Sequence, residues 1–438
     1  YDLALENIER SISTNANNTK ARNLESALLR KLDNPSLAMK VSMEMMEFDR
    51  LDFGSRFEYY LANKSLGNEQ ISEQAIIELK KKLRGYIESY LELSLEYANA
   101  GLMDEAIEVL SLPELTDNAA IKGSPMRYYY LGYFWSKKGD TSKAQDYFSK
   151  APMISPDYCF PFRLEEIGIL ETAIRLNPSD AKAHYYLGNL LFEPQPEKAI
   201  SLWEKSRQLD SSFDLVYRNL GMAYYKTRND IPNSIASYEK GISLNKTDQR
   251  WFFELDLIYA AARTDPEKRL KLLSDNREVI QNNNIVDALS RIILLQVQLG
   301  RYDDALEICK SRPYPQWEGV DKIYGSYLNA CLLKGYHHLN SGLTNEALND
   351  GLAALQYPEN MMIAEEYRGG RACEVYYFVG TVYEKMGNLK KAKESWNHAI
   401  NLRQHDQLSE IYFYKAMSLK KLGKTDEANN IFSSLISF

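Results

Sequence analysis

The sequence predicts an all-α fold, a solenoid of helix hairpins. Three observations predict it. Gly and Ala recur five residues apart at Gly101/Ala106, Gly139/Ala144, Gly300/Ala305, Gly342/Ala347, Gly387/Ala392 and Gly423/Ala428. Each pair lies between two stretches whose apolar residues follow the 3.6-residue period of an amphipathic helix. Copies of the pattern run through most of the chain, as a stacked repeat requires. Gly closes the first helix, where a left-handed backbone costs it little. Ala, having no bulk, lets the second helix press closely on the first.

The elements follow in order. The first 20 residues and the tract Lys64–Gln74, rich in Asn, Ser and Glu, read as loop or frayed helix. Weak copies surround Ala38 and Ala106, and LKKKLRG (Leu79–Gly85) is a charge run on a solvated helix end. Pro125–Tyr158 is the clearest unit: Tyr128, Leu131, Gly132 and Trp135, then Ala144, Phe148 and Pro156. Cys159–Asp180 holds one helix, ending at Asn177-Pro178, that reads as a second helix without a first partner.

The unit at 181–213 has His184, Leu187, Gly188, Leu191, Ala199 and Trp203. Pro194 and Pro196 sit in its shortened turn, where a missing amide costs nothing. The next unit has Tyr217, Leu220, Gly221, Tyr224 and Tyr238, with Ser234 in the Ala slot. Thr247–Asn284 fits poorly: WFFELDLIYAAA is helical, and a helix restarts after Pro266 without the Gly/Ala signature. Weak copies around Ala305, Ala347 and Ala428 flank a good one, Tyr376, Val379, Gly380, Tyr383, Ala392, Trp396 and Ala399. The two irregular stretches divide the chain into three helical blocks, 1–158, 159–285 and 286–438.

These residues resemble the tetratricopeptide repeat, a unit of about 34 residues with the pattern W-x-x-L-G-x-x-Y…A-x-x-x-F…P. The resemblance implies a right-handed superhelix, with irregular breaks at the two poorly fitting stretches. It also implies that positions 2, 5, 9 and 12 of the first helices line a concave groove for a peptide or a partner's helix. Position 5 reads Tyr129, Tyr185, Arg218, Leu332, Tyr377 and Phe413; position 9 reads Tyr133, Asn189, Met222, Tyr336, Thr381 and Met417. The candidate groove is therefore Tyr129, Tyr133, Tyr185, Asn189, Arg218, Asn219, Met222, Tyr336, Tyr377 and Phe413. Tyr and Arg are enriched at interface hot spots. The competing reading is that the position-5 rings pack against adjacent first helices and are covered.

Some domains with this repeat hold a C-terminal carboxylate between Asn at position 9 of one unit and Asn at position 6 of the next. Asn189 and Asn219 stand at those positions with Arg218 beside them. Asn amides suit a peptide backbone and Arg forks a carboxylate. The clamp is incomplete, because Tyr185 stands where Lys is needed and no third basic pair follows.

Composition narrows the function. The chain is 45% hydrophobic and 26% charged, with a net charge of −7, a balance unlike that of a phosphate-gripping nucleic-acid binder. No apolar run approaches the roughly 20 residues of a membrane span. Tyr outnumbers Phe by 31 to 15, which suits half-wet surfaces. Cys159, Cys309, Cys331 and Cys373 have no metal-site spacing and read as apolar fillers. His184, His337, His338, His398 and His405 belong to no catalytic motif, and no cofactor is implied. RGGR (Arg368–Arg371) reads as an interhelix loop rather than an anion cup. Glu165-Glu166 and Glu365-Glu366 diverge on adjacent helix positions.

A second resemblance rests on CFPFRLEEIGILETAIRLNPSDAKAHYYLGNLLF, on RNLGMAYY and RWFFELD, and on LDFGSRFEYYL (Leu51–Leu61). It is similar to the C-terminal helical region of large bacterial proteins in which a β-rich, sugar-mutarotase-like domain precedes the repeats. That kinship implies that this chain, which opens at Tyr1, is the C-terminal part of a longer polypeptide. The repeat and its groove imply a non-catalytic interaction scaffold, whose partner is a protein, a peptide or the upstream domain. The alternative is an accessory region of a carbohydrate-active protein. The compartment stays open between cytoplasm and periplasm.

Overall fold

The computed structural model describes residues 1–112, 123–281, 286–314, 322–363, 371–402, 409 and 411–437. They form twenty-five α-helices and two short 3-10 turns, with no strand among the described residues. The fold is the α-solenoid of helix hairpins that the repeat predicts. Backbone contacts gather into two compact units, Tyr1–Ala223 and Tyr224–Phe438, and the border falls inside the helix Asp214–Arg228.

Most hairpins close by one device. After the helix Ile87–Asn99, Gly101 turns left-handed at φ 77°. The Gly101 amide then bonds the Ala98 carbonyl, and Leu102 reaches back to Tyr97. These two bonds satisfy carbonyls that the helix end leaves open. The same left-handed turn recurs at Gly139, Gly300, Gly342, Gly387 and Gly423. The small residue five places on is fully buried in all nine copies read from the sequence, Ser234 included.

The positive φ also occurs without Gly, at Asp33 and Asn229 in copies that the sequence shows and at Arg263 in a hairpin that its pattern hid. Lys64–Gln74 is not a loop: Gly67, φ 74°, joins the helices Phe53–Ser65 and Glu69–Leu83, with Ser72 buried in the Ala slot. Most of the first 20 residues are also ordered. Asp2–Thr14 is a helix with no buried residue, docked through Leu5 onto the cluster of Leu29, Ala38, Val41 and Ala62. Its polarity reflects wide exposure rather than absence of structure. Lys80, Lys81 and Lys82 occupy the last turn of Glu69–Leu83, where cations favour the helix dipole. The single helix expected after Cys159 is Glu165–Leu176, and Pro196 opens the helix Pro196–Leu209.

Within a hairpin, a Gly on the first helix gives a flat notch for a ring on the second. A Cβ on Gly132 would lie 2.7 Å from Phe148, and one on Gly188 2.4 Å from Trp203. Gly380 and Trp396 repeat the arrangement, also at 2.4 Å.

Charged clusters tie helices together. In the first unit Arg30 bridges buried Glu58 and Glu105, at 3.0 Å each, and the Tyr97 hydroxyl donates to Glu58 at 2.9 Å. In the second unit the hairpin Arg250–Ala261 and Pro266–Asp275 places Arg269 where other hairpins have Ala, six residues after the turn rather than five. Arg269 forks buried Asp256 at 2.9 Å through both Nε and Nη2. A side chain of that bulk is tolerated because its charge is matched there.

Candidate functional site

The opening ring cluster YYYLGYFW lies on the helix Pro125–Lys137, and its phase answers differently from the sequence. Tyr129, expected to face an open groove, has no exposed surface. Its hydroxyl donates to Asp180 Oδ2 at 3.0 Å, and its ring meets Tyr186 edge-on at 6.1 Å. Burial, helped by the Asp180 carboxylate, holds the Tyr129 phenol well above its ordinary value. Tyr128, assigned to the core, is half-buried instead. The next unit, arriving after Cys159–Asp180, covers the side of the helix on which Tyr129 stands.

The line of rings continues inward. Tyr185 is buried and stacks edge-on against Phe213 at 4.9 Å and Tyr186 at 5.5 Å. Burial raises its phenol, while Asn189 and the Arg218 charge pull it back. Asn189 Oδ1 accepts Trp203 Nε1 at 3.1 Å and Asn219 Nδ2 at 2.7 Å. The two amides expected to clamp a peptide are thus bonded to each other. Tyr133, Arg218 and Met222 are half-buried, and Lys137 Nζ stands 5.2 Å over the Tyr133 ring.

The second unit has a more open face. Tyr336, Tyr377 and Phe413 belong to successive first helices, Lys322–Asn340, Ala372–Lys385 and Ile411–Lys421. Tyr336 packs on Phe378 with ring centres 4.5 Å apart, and Tyr377 approaches Tyr414 at 5.9 Å. Phe413 is exposed and meets Phe432 at 5.9 Å. Leu332 is buried. Arg371 pairs with Glu374 at 2.9 Å and donates to the Gly325 carbonyl at 3.4 Å.

Sequence reasoning missed the rest of this face. A cavity of about 460 Å³ is lined by Phe253 and Leu257, by Ser290, Arg291 and Leu294, and by Gly325, Ser326 and Asn329. These come from three successive first helices, Arg250–Ala261, Asp287–Gln298 and Lys322–Asn340. Counted back from their turns, Phe253 and Ser290 take position 5, and Leu257 and Leu294 position 9. Gly300 signals Ser290 and Leu294, whereas Phe253 and Leu257 depend on the turn at Arg263, which has no Gly to mark it. Arg291 Nε donates to Asp256 Oδ2 at 2.6 Å, the carboxylate that Arg269 already forks.

Of the other candidates, His184 is buried with Nδ1 2.8 Å from the Asp180 carbonyl, and His398 stacks on Tyr376. All four cysteines are buried thiols that form no disulfide. Burial pushes the thiols of Cys159 and Cys309 up to about 12. Glu365-Glu366, Arg368 to Gly370 of RGGR, and His405 lie outside the described residues. Among the described residues no three His, Cys, Asp or Glu gather as a metal site, and no helix is long and apolar enough to cross a membrane.

Family comparison decides the nature of the last two hairpins. Residues 374–406 and 410–437 match tetratricopeptide repeat models. Those stretches hold Tyr377 and Phe413, so two candidate rings lie in recognised repeats. Solved structures are similar as well. YrrB, described as a TPR protein with an unusual peptide-binding site, is 19% identical over 53% of this chain and 92% of its own, with a TM-score of 0.31. Yeast Tom70 is 12% identical over 94% and 95%, with a TM-score of 0.30. MamA from Desulfovibrio magneticus RS-1 is 17% identical over 45% and 96%, with a TM-score of 0.27. None of these comparisons brings in the upstream β-sandwich that the second resemblance implies.

Proposed function

We propose that the protein is a non-catalytic interaction scaffold, and that the second unit holds an extended peptide segment of a partner protein along its first helices. The observation that carries this reading is the run of one face across successive hairpins. It begins at Phe253 and Leu257, passes the cavity of about 460 Å³, and continues by register to Tyr336, Tyr377 and Phe413. Rings and aliphatic side chains beside polar Ser290 and Asn329 suit a chain with alternating apolar and polar groups. The tetratricopeptide matches at 374–406 and 410–437 support the same assignment. The first unit contributes less, because Tyr129 and Tyr185 are spent on packing. For the carbohydrate alternative, Tyr129 offers no face on which a sugar could stack.

A photo-crosslinking amino acid tests the reading. It is placed at Leu257, at Tyr377, or at Leu352, an exposed residue of the second helix Thr344–Ala354. Each protein is exposed to a random library of 12-residue peptides. Crosslinks at 257 and 377 in clear excess over 352 support the groove. Equal yields at all three sites refute it.

A further inference from the structure

Resting on that reading, we infer that the groove of the second unit selects a peptide bearing an internal acidic side chain, which Arg291 receives. Three observations converge. First, charge in the buried cluster that Arg291 joins to the cavity does not balance. Asp256 is fully buried and carries one negative charge, against two guanidinium groups, Arg269 and Arg291, that bond it. Arg269 occupies both carboxylate oxygens and is itself buried, so it is satisfied in place. Arg291 is the surplus cation, and Asp256 takes only its Nε. Its terminal amino groups form the fork that matches a carboxylate.

Second, Arg291 belongs to the cavity wall, where its side chain is 17% exposed. A half-buried cation on an apolar wall is weakly screened, so an anion gains more there than on an open surface. Leu257, Leu294 and Phe253 beside it provide for apolar neighbours of the acidic residue, and the Asn329 amide for the peptide backbone.

Third, the groove does not end at Arg291. First helices with the same register continue on one side to Phe253 and on the other to Tyr377 and Phe413. A through-groove fits an acidic side chain in mid-peptide, whereas a chain terminus calls for a blind end.

The probes are fluorescein-labelled 12-residue peptide pools with both ends capped, otherwise random, whose central residue is fixed as Asp, Glu, Asn or Gln. Binding to the full chain is read by anisotropy. The Asp or Glu pool is expected to bind at least tenfold tighter than its amide partner. The gap should close in Arg291→Gln and narrow as salt rises. Asp256 stays paired with Arg269 in that variant, and an unchanged melting temperature verifies the fold. Asn329→Leu, which narrows the cavity and leaves the ion pairs alone, should weaken every pool.

Acid and amide pools that bind alike would overturn the inference while leaving the peptide groove intact. A gap that survives Arg291→Gln would also overturn it. Pools with a free C-terminal carboxylate and central Gln that match the acid pools would overturn the mid-peptide placement. Binding by no pool at all would remove both the inference and the groove.

Discussion

The Tyr129 hydroxyl donates to Asp180 Oδ2 at 3.0 Å, while Oδ1 of the same carboxylate accepts the Ala183 amide at 2.9 Å. Asp180 therefore caps the helix Ala181–Leu191 and holds the preceding hairpin to it. Tyr129→Phe leaves a buried carboxylate oxygen short of a donor and should cost about 1–3 kcal/mol. Asp180→Ala also removes the cap, adding about 1 kcal/mol. Thermal melts followed by circular dichroism should rank wild type above Tyr129→Phe above Asp180→Ala. Coincident melts would show that the bond contributes nothing.

The glycine notches predict opposite outcomes for one chemical change. Gly188→Ala and Gly380→Ala drive a methyl into Trp203 and Trp396 and should destabilise by about 1–3 kcal/mol. Gly168→Ala, in the helix Glu165–Leu176 with nothing within 4 Å, should stabilise by roughly 0.5–1 kcal/mol. Urea titration of the three variants checks the sign of each.

The left-handed turns give a third expectation. Arg263 holds φ 55° with a full side chain. Arg263→Gly relieves a strain of roughly 1 kcal/mol and should raise the melting temperature. Gly387→Ala, at φ 78°, should lower it by a similar energy.

The alkaline limb of stability has a defined direction. Burial raises the phenols of Tyr97 and Tyr129 well above the ordinary value of 10.0, with Glu58 and Asp180 adding to it. Folded tyrosines thus keep protons that unfolded ones release. Their contribution is whole below pH 10 and is lost as pH rises above it. Phenolate absorbance should show part of the 31 Tyr titrating together with unfolding. A smooth titration with ellipticity retained would contradict this.

Hairpin geometry was legible in the sequence where a small residue stood in the buried slot five places after the turn, so the copies at Ala38 and Ser234 showed although Asp33 and Asn229 mark their turns without Gly. It was illegible at Gly67, where Ser72 fills that slot in a polar tract, and at Arg263, whose left-handed backbone is set by the carbonyls it caps and not by residue type. The helix Asp2–Thr14 was hidden for a different reason: its apolar stripe, Leu5, Ile8 and Ile12, is thin and set among polar residues, and it docks through Leu5 alone onto the buried cluster. For the candidate site, periodicity proposes a side for each first helix and says nothing about what covers it. Tyr129 shows the loss, since its cover, Asp180 and Tyr186, stands beyond an irregular insertion. Arg291 shows the opposite case. Its importance lies in a charge count with Arg269 and Asp256, and only coordinates bring those three together.

The left-handed turn also bears on how such a chain answers to force. Among the described residues, backbone hydrogen bonds close almost entirely inside a helix or its own turn, Tyr314 to Asn360 being an exception, and neighbouring hairpins within a unit are joined largely through side chains. A tether pulled along one unit should therefore part hairpin from hairpin before it unravels any helix.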